Sequence, residues 1–117
     1  MNTVILRGRL SRPPTVRTLP SGDELVALEV TTRSAEGPAA SVPVAWFDAG
    51  RAVDDLEAGT EIVVTGTVRR RFFRAGGATA SRTEVVADAV VPARRRVRAR
   101  RAVEAALASV DPGAAAP

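Results

Sequence analysis

The sequence of 117 residues contains no cysteine, histidine, lysine or tyrosine. Without cysteine there are no disulfides or thiolate metal sites, and without histidine there is no imidazole to bind a transition metal. Acid–base or nucleophilic chemistry would have to use carboxylates and hydroxyls alone. We therefore predict a protein that is not an enzyme and that uses no metal and no cofactor.

Long apolar runs are absent as well. No stretch approaches the roughly 20 apolar residues that a membrane-spanning helix needs. Arg7 and Arg9 interrupt the apolar N-terminus, where a secretory signal would carry its hydrophobic segment. We expect a soluble, cytoplasmic protein with no membrane partner.

The charge is unevenly distributed along the chain. All 17 basic residues are arginine, and residues 1–91 balance 11 arginines with 11 acidic residues. From Pro92 onward six arginines face only Glu104 and Asp111, which accounts for the whole net charge of +4. Arginine favours bidentate and stacking contacts with phosphates and bases. A nucleotide bias of the source genome explains an arginine-rich composition equally well.

Alternation of apolar and polar residues predicts five strands with one face on a core. A short helix over Arg51–Ala58, ended by Gly59, separates the third strand from the fourth. This order predicts an all-β, five-stranded oligonucleotide-binding (OB) fold barrel, although a small sandwich would give a similar pattern. Thr15–Thr18 is expected to pair only at an edge. The five strands cover Thr3–Leu10, Leu25–Thr32, Ser41–Phe47, Thr60–Phe73 and Arg82–Val91.

The chain divides into a barrel domain over residues 1–92 and a separate arginine-rich tail over residues 93–117. A basic helix is predicted over Ala93–Val110, with Val97, Val103 and Leu107 at helical spacing. We expect Asp111–Gly113 to end it and the last four residues to fray. The tail arginines either contact nucleic acid or belong to a helix packed on a neighbouring subunit. The candidates for nucleic-acid contact are Arg94, Arg95, Arg96 and Arg98.

The fourth strand carries the strongest candidate site. Its alternation directs Arg69, Arg71 and Phe73 outward and Arg70 and Phe72 towards the interior, where we expect Phe72 to pack against the body. Guanidinium groups neutralise phosphates, and an aromatic ring stacks on any base. Charged runs are more often solvated faces, and paired phenylalanines are more often packing residues, so the strand alone leaves that alternative open.

Four further residues complete the candidate site. Arg9 lies on the polar face of the first strand, Arg33 lies where the second strand enters the hairpin loop, and Arg74 continues the basic run. Trp46, the only tryptophan, is interpreted as either a core anchor or a stacking ring. Each arginine has an alternative role as the partner of an acidic side chain.

Several segments, in order over residues 1–91, resemble bacterial single-stranded DNA-binding proteins, in particular a short, divergent actinobacterial branch. In the segment Arg12–Arg17, Pro13 replaces the acidic residue that the family usually has. The similar segments are Met1–Leu10, Arg12–Arg17, Leu19–Gly22, Ala58–Arg69 and Thr83–Ala87.

The resemblance implies an OB fold that coats single-stranded DNA without sequence preference, supports replication, repair or recombination, and associates with the nucleoid. It also implies a homo-oligomer, with a tetramer expected and a dimer as the alternative. Phe73 matches a tryptophan of the family, and Trp46 matches its phenylalanine at the end of the third strand.

The departures from the family pattern matter. Two other aromatic positions fall near Glu36 and Ala40–Pro43, where no ring exists. A basic segment replaces the acidic C-terminal tip, so recruitment of repair proteins through such a tip is not expected. Two alternatives are a protein-interaction or accessory subunit with little intrinsic single-strand binding, and an RNA-binding module.

Overall fold

The structure, a computed structural model, describes residues 1–110. The predicted helix stop at Asp111–Gly113 and the frayed end after it lie outside the described residues. The elements are β1 (Val4–Leu10), β2 (Thr15–Thr18), β3 (Glu24–Thr32), β4 (Ala40–Phe47), a 3₁₀ helix (Gly50–Asp55), β5 (Glu61–Ala75), β6 (Ala78–Pro92) and α1 (Arg96–Ser109).

Five of the strands form a closed barrel in the order β1-β5-β6-β4-β3, which closes because β1 pairs with both β5 and β3. The pairing of β4 with β6 is parallel, and the other pairings are antiparallel. β2 adds to the outer edge of β3, as predicted. The five-stranded barrel with a short helix between its third and fourth strands is therefore confirmed. The helix ends at Asp55, earlier than predicted, because the chain turns extended at Leu56, which is buried.

The barrel core consists of side chains that alternate along each strand, as the sequence pattern predicted. β3 contributes Val26, Leu28 and Val30, and β5 contributes Ile62 and Val64. Trp46 lies in the same cluster with 8% of its surface exposed. The interior is therefore aliphatic apart from one indole ring.

A β-bulge changes the course of β5 and β6 where they leave the barrel. Thr65 pairs with Ala89 but Gly66 pairs with Ala87, so Asp88 is the additional residue. Gly66 is required here, because a Cβ at this position would lie 2.0 Å from the carbonyl oxygen of Val86. A bulge bends the strand and increases its twist.

Beyond the bulge, β5 and β6 continue as a long hairpin, and we refer to residues 69–84 as the arm. Gly76 and Gly77 have φ values of 59° and 80°, the backbone of a two-residue type I′ turn. β6 begins four residues earlier than predicted, since Ala78–Ser81 are small or polar and lack an apolar alternation. Phe72 is 66% exposed, so its predicted packing against the body is wrong. The face of the arm that carries Phe72 extends beyond the barrel and is exposed to solvent.

Helix α1 packs on the outside of the barrel against β1, β5 and β6. Ala99 is buried against Val63 and Val91, with Ala102 and Val103 beside it. The predicted apolar stripe is only partly correct: Val97 and Leu107 are exposed, because the small alanines form the face that approaches the strands. The basic tail is thus attached to the barrel as far as Ser109, whose hydroxyl lies 3.2 Å from that of Thr3.

Candidate nucleic-acid interface

A groove of about 380 Å³ lies on the outer face of the sheet, between β2 and the arm. It is built from the residues that alternate with the core residues of β3 and β4, because successive side chains of a strand point to opposite faces. Leu25 and Ala27 come from β3, and Ala45 and Phe47 come from β4. The register pairs Leu25 with Phe47 and Ala27 with Ala45, so the floor of the groove is continuous and apolar.

One wall of the groove holds Arg69 and Arg71 on β5 and Glu84 on β6. Glu84, which pairs directly with Arg69 across the strands, is 6% exposed. Arg69 donates to Oε2 of Glu84 from Nε at 3.3 Å and from Nη2 at 3.0 Å, and Nε of Arg71 donates to Oε1 at 3.1 Å. The carboxylate therefore orients both guanidinium groups while leaving them partly exposed to an incoming ligand.

Each of these arginines also lies over a phenylalanine ring. The Cζ atom of Arg69 is 5.7 Å from the centroid of Phe47, and that of Arg71 is 5.4 Å from the centroid of Phe73. Both distances are in the range of a cation–π interaction. Phe73 is 38% exposed, so part of its side chain is accessible to solvent. Each guanidinium group is therefore accompanied by a ring, Phe47 on the floor of the groove and Phe73 further along the arm.

The groove as a whole is electropositive. Arg17 and Arg82 line it together with Arg69 and Arg71, so four arginines face one glutamate and the net charge is +3. Guanidinium groups over a hydrophobic floor suit a chain that carries a phosphate on every unit and apolar faces between them.

Sequence reasoning missed four of the groove residues. Phe47 could have been found, because Val42, Val44 and Trp46 alternate inward and the next residue must then point outward. Arg82 and Glu84 lie opposite Arg71 and Arg69 only through the register of β5 with β6, which the sequence does not specify. Arg17 enters through the pairing of β2 with β3.

The predicted site residues on and near the arm lie at one end of the barrel. Arg69, Arg71 and Phe73 share one face, as predicted. Arg74 donates to the carbonyl oxygen of Gly77 at 3.2 Å, so it lies at the turn of the arm. Arg33 is exposed just beyond β3. Since β4 and β6 run parallel, the loop that precedes β4 and the turn that precedes β6 lie at the same end.

Two predicted residues are not part of the groove in the structure. Trp46 is in the core, so the stacking role is corrected to the core role, because the alternation of β4 directs its ring inward. Arg9 donates to the carbonyl oxygen of Gly59 at 3.1 Å and lies 3.8 Å from the carboxylate of Glu61. It belongs to the β1–β5 side of the barrel, since its position on β1 pairs with Glu61.

The tail arginines are also placed away from the groove. Arg94 and Arg96 line a separate depression with Arg7 and Glu61. Arg95 donates to Oδ2 of Asp55 at 2.9 Å, and Arg98 is exposed on α1.

Two carboxylates on the barrel surface are held in their charged form. The hydrogen bond from Ser41 lowers the pKa of Glu29 below its usual range, and the charge of Arg12 contributes further. The hydrogen bond and charge of Arg7 lower the pKa of Glu61. Both groups therefore stay ionised at neutral pH and remain partners for nearby arginines.

No group of three or more acidic side chains in residues 1–110 is placed to hold a metal ion. None of the helices within that range is long and apolar enough to cross a membrane.

A closed OB barrel with a basic, ring-bearing groove on its outer face defines the class of OB-fold proteins that bind single-stranded nucleic acids. The model of the single-strand binding protein family matches residues 1–93, and the chain belongs to this family. The family consists of non-catalytic DNA-binding proteins, so the prediction that the chain is not an enzyme is confirmed.

Among solved structures, the chain is similar to a Plasmodium falciparum single-strand binding protein in complex with single-stranded DNA. The TM-score is 0.65 at 19% identity, over 74% of this chain and 85% of that one. No curated protein matches the sequence. At this identity the structural likeness supports the OB fold.

Proposed function

We propose that this protein binds single-stranded DNA without sequence preference through the groove between β2 and the arm. The observation that carries the proposal is the pairing of guanidinium groups with rings, Arg69 with Phe47 and Arg71 with Phe73, on one face of a family member. In this proposal Arg69, Arg71 and Arg82 neutralise phosphates, while the two rings stack on bases.

Lack of sequence preference follows from the kinds of contact involved. Phosphates are the same at every nucleotide, and every base has a π face that a ring can cover. The apolar floor of Leu25, Ala27 and Ala45 adds contacts that do not depend on the identity of the base.

Other predicted contacts extend this proposal. Arg33 and Arg74, at the end of the barrel from which the arm projects, would contact the strand where it leaves the groove. We further propose a cytoplasmic, nucleoid-associated role in replication, repair or recombination, carried out by a homo-oligomer, either a tetramer or a dimer.

The test is fluorescence anisotropy of a labelled oligo-dT at a series of salt concentrations. Three phosphates neutralised by Arg69, Arg71 and Arg82 correspond to a slope of log K against log salt of about −2, at about 0.7 per phosphate for single strands. Emission of Trp46 is unsuitable as the binding signal, because the indole is in the core. Failure to bind oligo-dT at low salt would refute the proposal.

Two neighbouring phenylalanines provide a matched pair of variants. Phe73→Ala removes a ring from the groove face and should weaken binding by about 1–3 kcal/mol for any sequence. Phe72→Ala removes the same side chain from the opposite face and should leave affinity unchanged. Equal losses would contradict the assignment of faces. Repeating the titration with oligo-rU tests the RNA-binding alternative.

A further inference from the structure

A second basic surface lies on the side of the barrel where β1, β5 and the start of α1 meet. It consists of Arg7, Arg9, Arg94 and Arg96, and together with Glu61 it carries four positive charges and one negative charge. Arg7, Arg94, Arg96 and Glu61 line a depression of about 340 Å³. The net charge of +3 equals that of the groove.

Specific contacts bring these arginines together. Arg7 and Arg9 lie on one face of β1, and both reach Glu61, at 2.8 and 3.8 Å. The backbone N–H of Ala93 donates to the carbonyl oxygen of Glu61 at 2.8 Å, which places Arg94 beside them. The residue between Arg94 and Arg96, Arg95, forms a separate ion pair with Asp55 at 2.9 Å. The backbone positions of the four arginines are therefore set by the fold.

The single acid at this surface is already engaged. Glu61 accepts a hydrogen bond from Arg7, and within residues 1–110 Arg94 and Arg96 have no acidic partner within 4.0 Å. Four like charges so close together repel one another unless an anion is present. Guanidinium groups bind phosphate oxygens in a bidentate manner. A polyanion with repeated phosphates therefore suits the surface.

The second surface is too far from the groove to contact the same nucleotides. Along β5, Glu61 precedes Arg69 by eight residues, which corresponds to about 26 Å at 3.3 Å per residue. A strand held in the groove would have to continue around the barrel to reach Arg94 and Arg96.

We propose that Arg7, Arg9, Arg94 and Arg96 form a second phosphate-binding surface that holds the continuation of the same single strand outside the groove. This inference rests on the proposed function, because it requires a strand in the groove. It assigns Arg9 and two of the tail arginines to one site and gives α1 a role in extending the bound length.

The test compares a short and a long oligo-dT. OB folds cover about 4–16 nucleotides each, so an oligomer of about 8 occupies the groove and one of about 30 extends beyond it. Arg94→Gln/Arg96→Gln should reduce the salt slope for the long oligomer by about 1.4 and leave the short one unchanged. Between about 50 and 200 mM salt, the loss of affinity for the long oligomer would then be about sevenfold smaller than in the unmodified protein.

The matched control is Arg100→Gln/Arg101→Gln, which removes the same charge from exposed positions of α1. The control should keep the slope of the unmodified protein, and Arg94→Lys/Arg96→Lys should largely preserve it. Urea unfolding followed by Trp46 emission checks that every variant is folded.

The outcomes separate the two proposals. If the short oligomer does not bind, the proposed function fails. If it binds and both glutamine pairs lower the long-oligomer slope equally, or neither does, the second surface is refuted. Loss of polyglutamate binding by Arg94→Gln/Arg96→Gln, with the long-oligomer slope unchanged, would instead identify an acidic protein as the partner.

Discussion

Glu84→Gln tests two effects of the groove glutamate: its negative charge and its ordering of the side chains of Arg69 and Arg71. The change keeps the shape of the side chain and removes the one negative charge among the groove residues, so the net charge rises from +3 to +4. The additional positive charge allows the groove to neutralise one more phosphate, and at about 0.7 per phosphate the salt slope for oligo-dT should steepen from about −2 to about −3. Contacts outside the groove would add equally to both proteins, so the difference is the diagnostic quantity.

The same change should make the side chains of Arg69 and Arg71 less ordered. An amide accepts through one oxygen only, and its NH₂ group faces guanidinium N–H groups that also donate. One arginine therefore loses its partner, a loss of about 1.5–3 kcal/mol in the free energy of unfolding. Breaking a fully buried ion pair costs more, but the arginine side chains are 43% and 42% exposed and keep their contact with water.

Two measurements separate these effects. Anisotropy titrations of labelled oligo-dT give the slope, and their extrapolation to about 1 M salt reports the affinity that remains when counterion release no longer contributes. We expect a steeper slope together with weaker binding at high salt. Glu57→Gln is the matched control, since it removes one exposed acid outside the groove. A slope unchanged by Glu84→Gln, or changed equally by Glu57→Gln, would refute the reasoning.

Three further predictions concern the scaffold. Gly66→Ala should lower the free energy of unfolding by about 1–3 kcal/mol or more, since its Cβ would meet the Val86 carbonyl oxygen at 2.0 Å. In the control Gly37→Ala the new Cβ would meet only a serine hydroxyl, so the free energy of unfolding measured in urea titrations should change little. Val103→Ala should lower the free energy of unfolding by about 1 kcal/mol and Leu107→Ala by under about 0.5 kcal/mol, because Val103 packs on the barrel and Leu107 is exposed. A larger loss for Leu107→Ala would mean that the helix packs through its other face. Ser41→Ala should raise the pKa of Glu29 towards its usual range, as measured by carboxyl NMR titration. The lowered pKa of Glu29 in the folded protein stabilises it at pH values above the usual glutamate pKa, and this stabilisation is lost as the pH falls through the folded-state pKa. The variant has less of this stabilisation to lose, so its free energy of unfolding should fall less on acidification than that of the unmodified protein.

The alternation of apolar residues predicted much of the fold and part of the site. It identified the five barrel strands, the inward residues of β3 and β5, and the shared face of Arg69, Arg71 and Phe73. These features depend on neighbours along one strand, which the sequence displays directly. Trp46 could have been placed by the same alternation, since Val42 and Val44 precede it at intervals of two. The alternative role as a stacking ring was suggested by matching its position with a ring of the family.

Features that depend on pairing between distant segments could not be predicted. The bulge at Asp88 and the position of Glu84 opposite Arg69 follow from the register of β5 with β6. The exposure of Phe72 follows from the length by which the arm extends beyond the barrel. The packing face of α1 was misjudged because alanines carry a weak hydrophobic signal, yet their small size allows the helix to approach β5 closely.

The groove combines a rigid floor with a compliant wall, which the arm provides. Phe47 and Leu25 belong to the closed barrel, whereas Arg71 and Phe73 lie on a two-stranded ribbon whose outer half pairs only with itself. Segments with few packing contacts open at lower free energy than the core, so amide protons near the turn of the arm should exchange faster than those of Val63 or Val64. In the proposed function, a wall that moves slightly would let the groove hold both purines and pyrimidines, so that it could accept any order of bases.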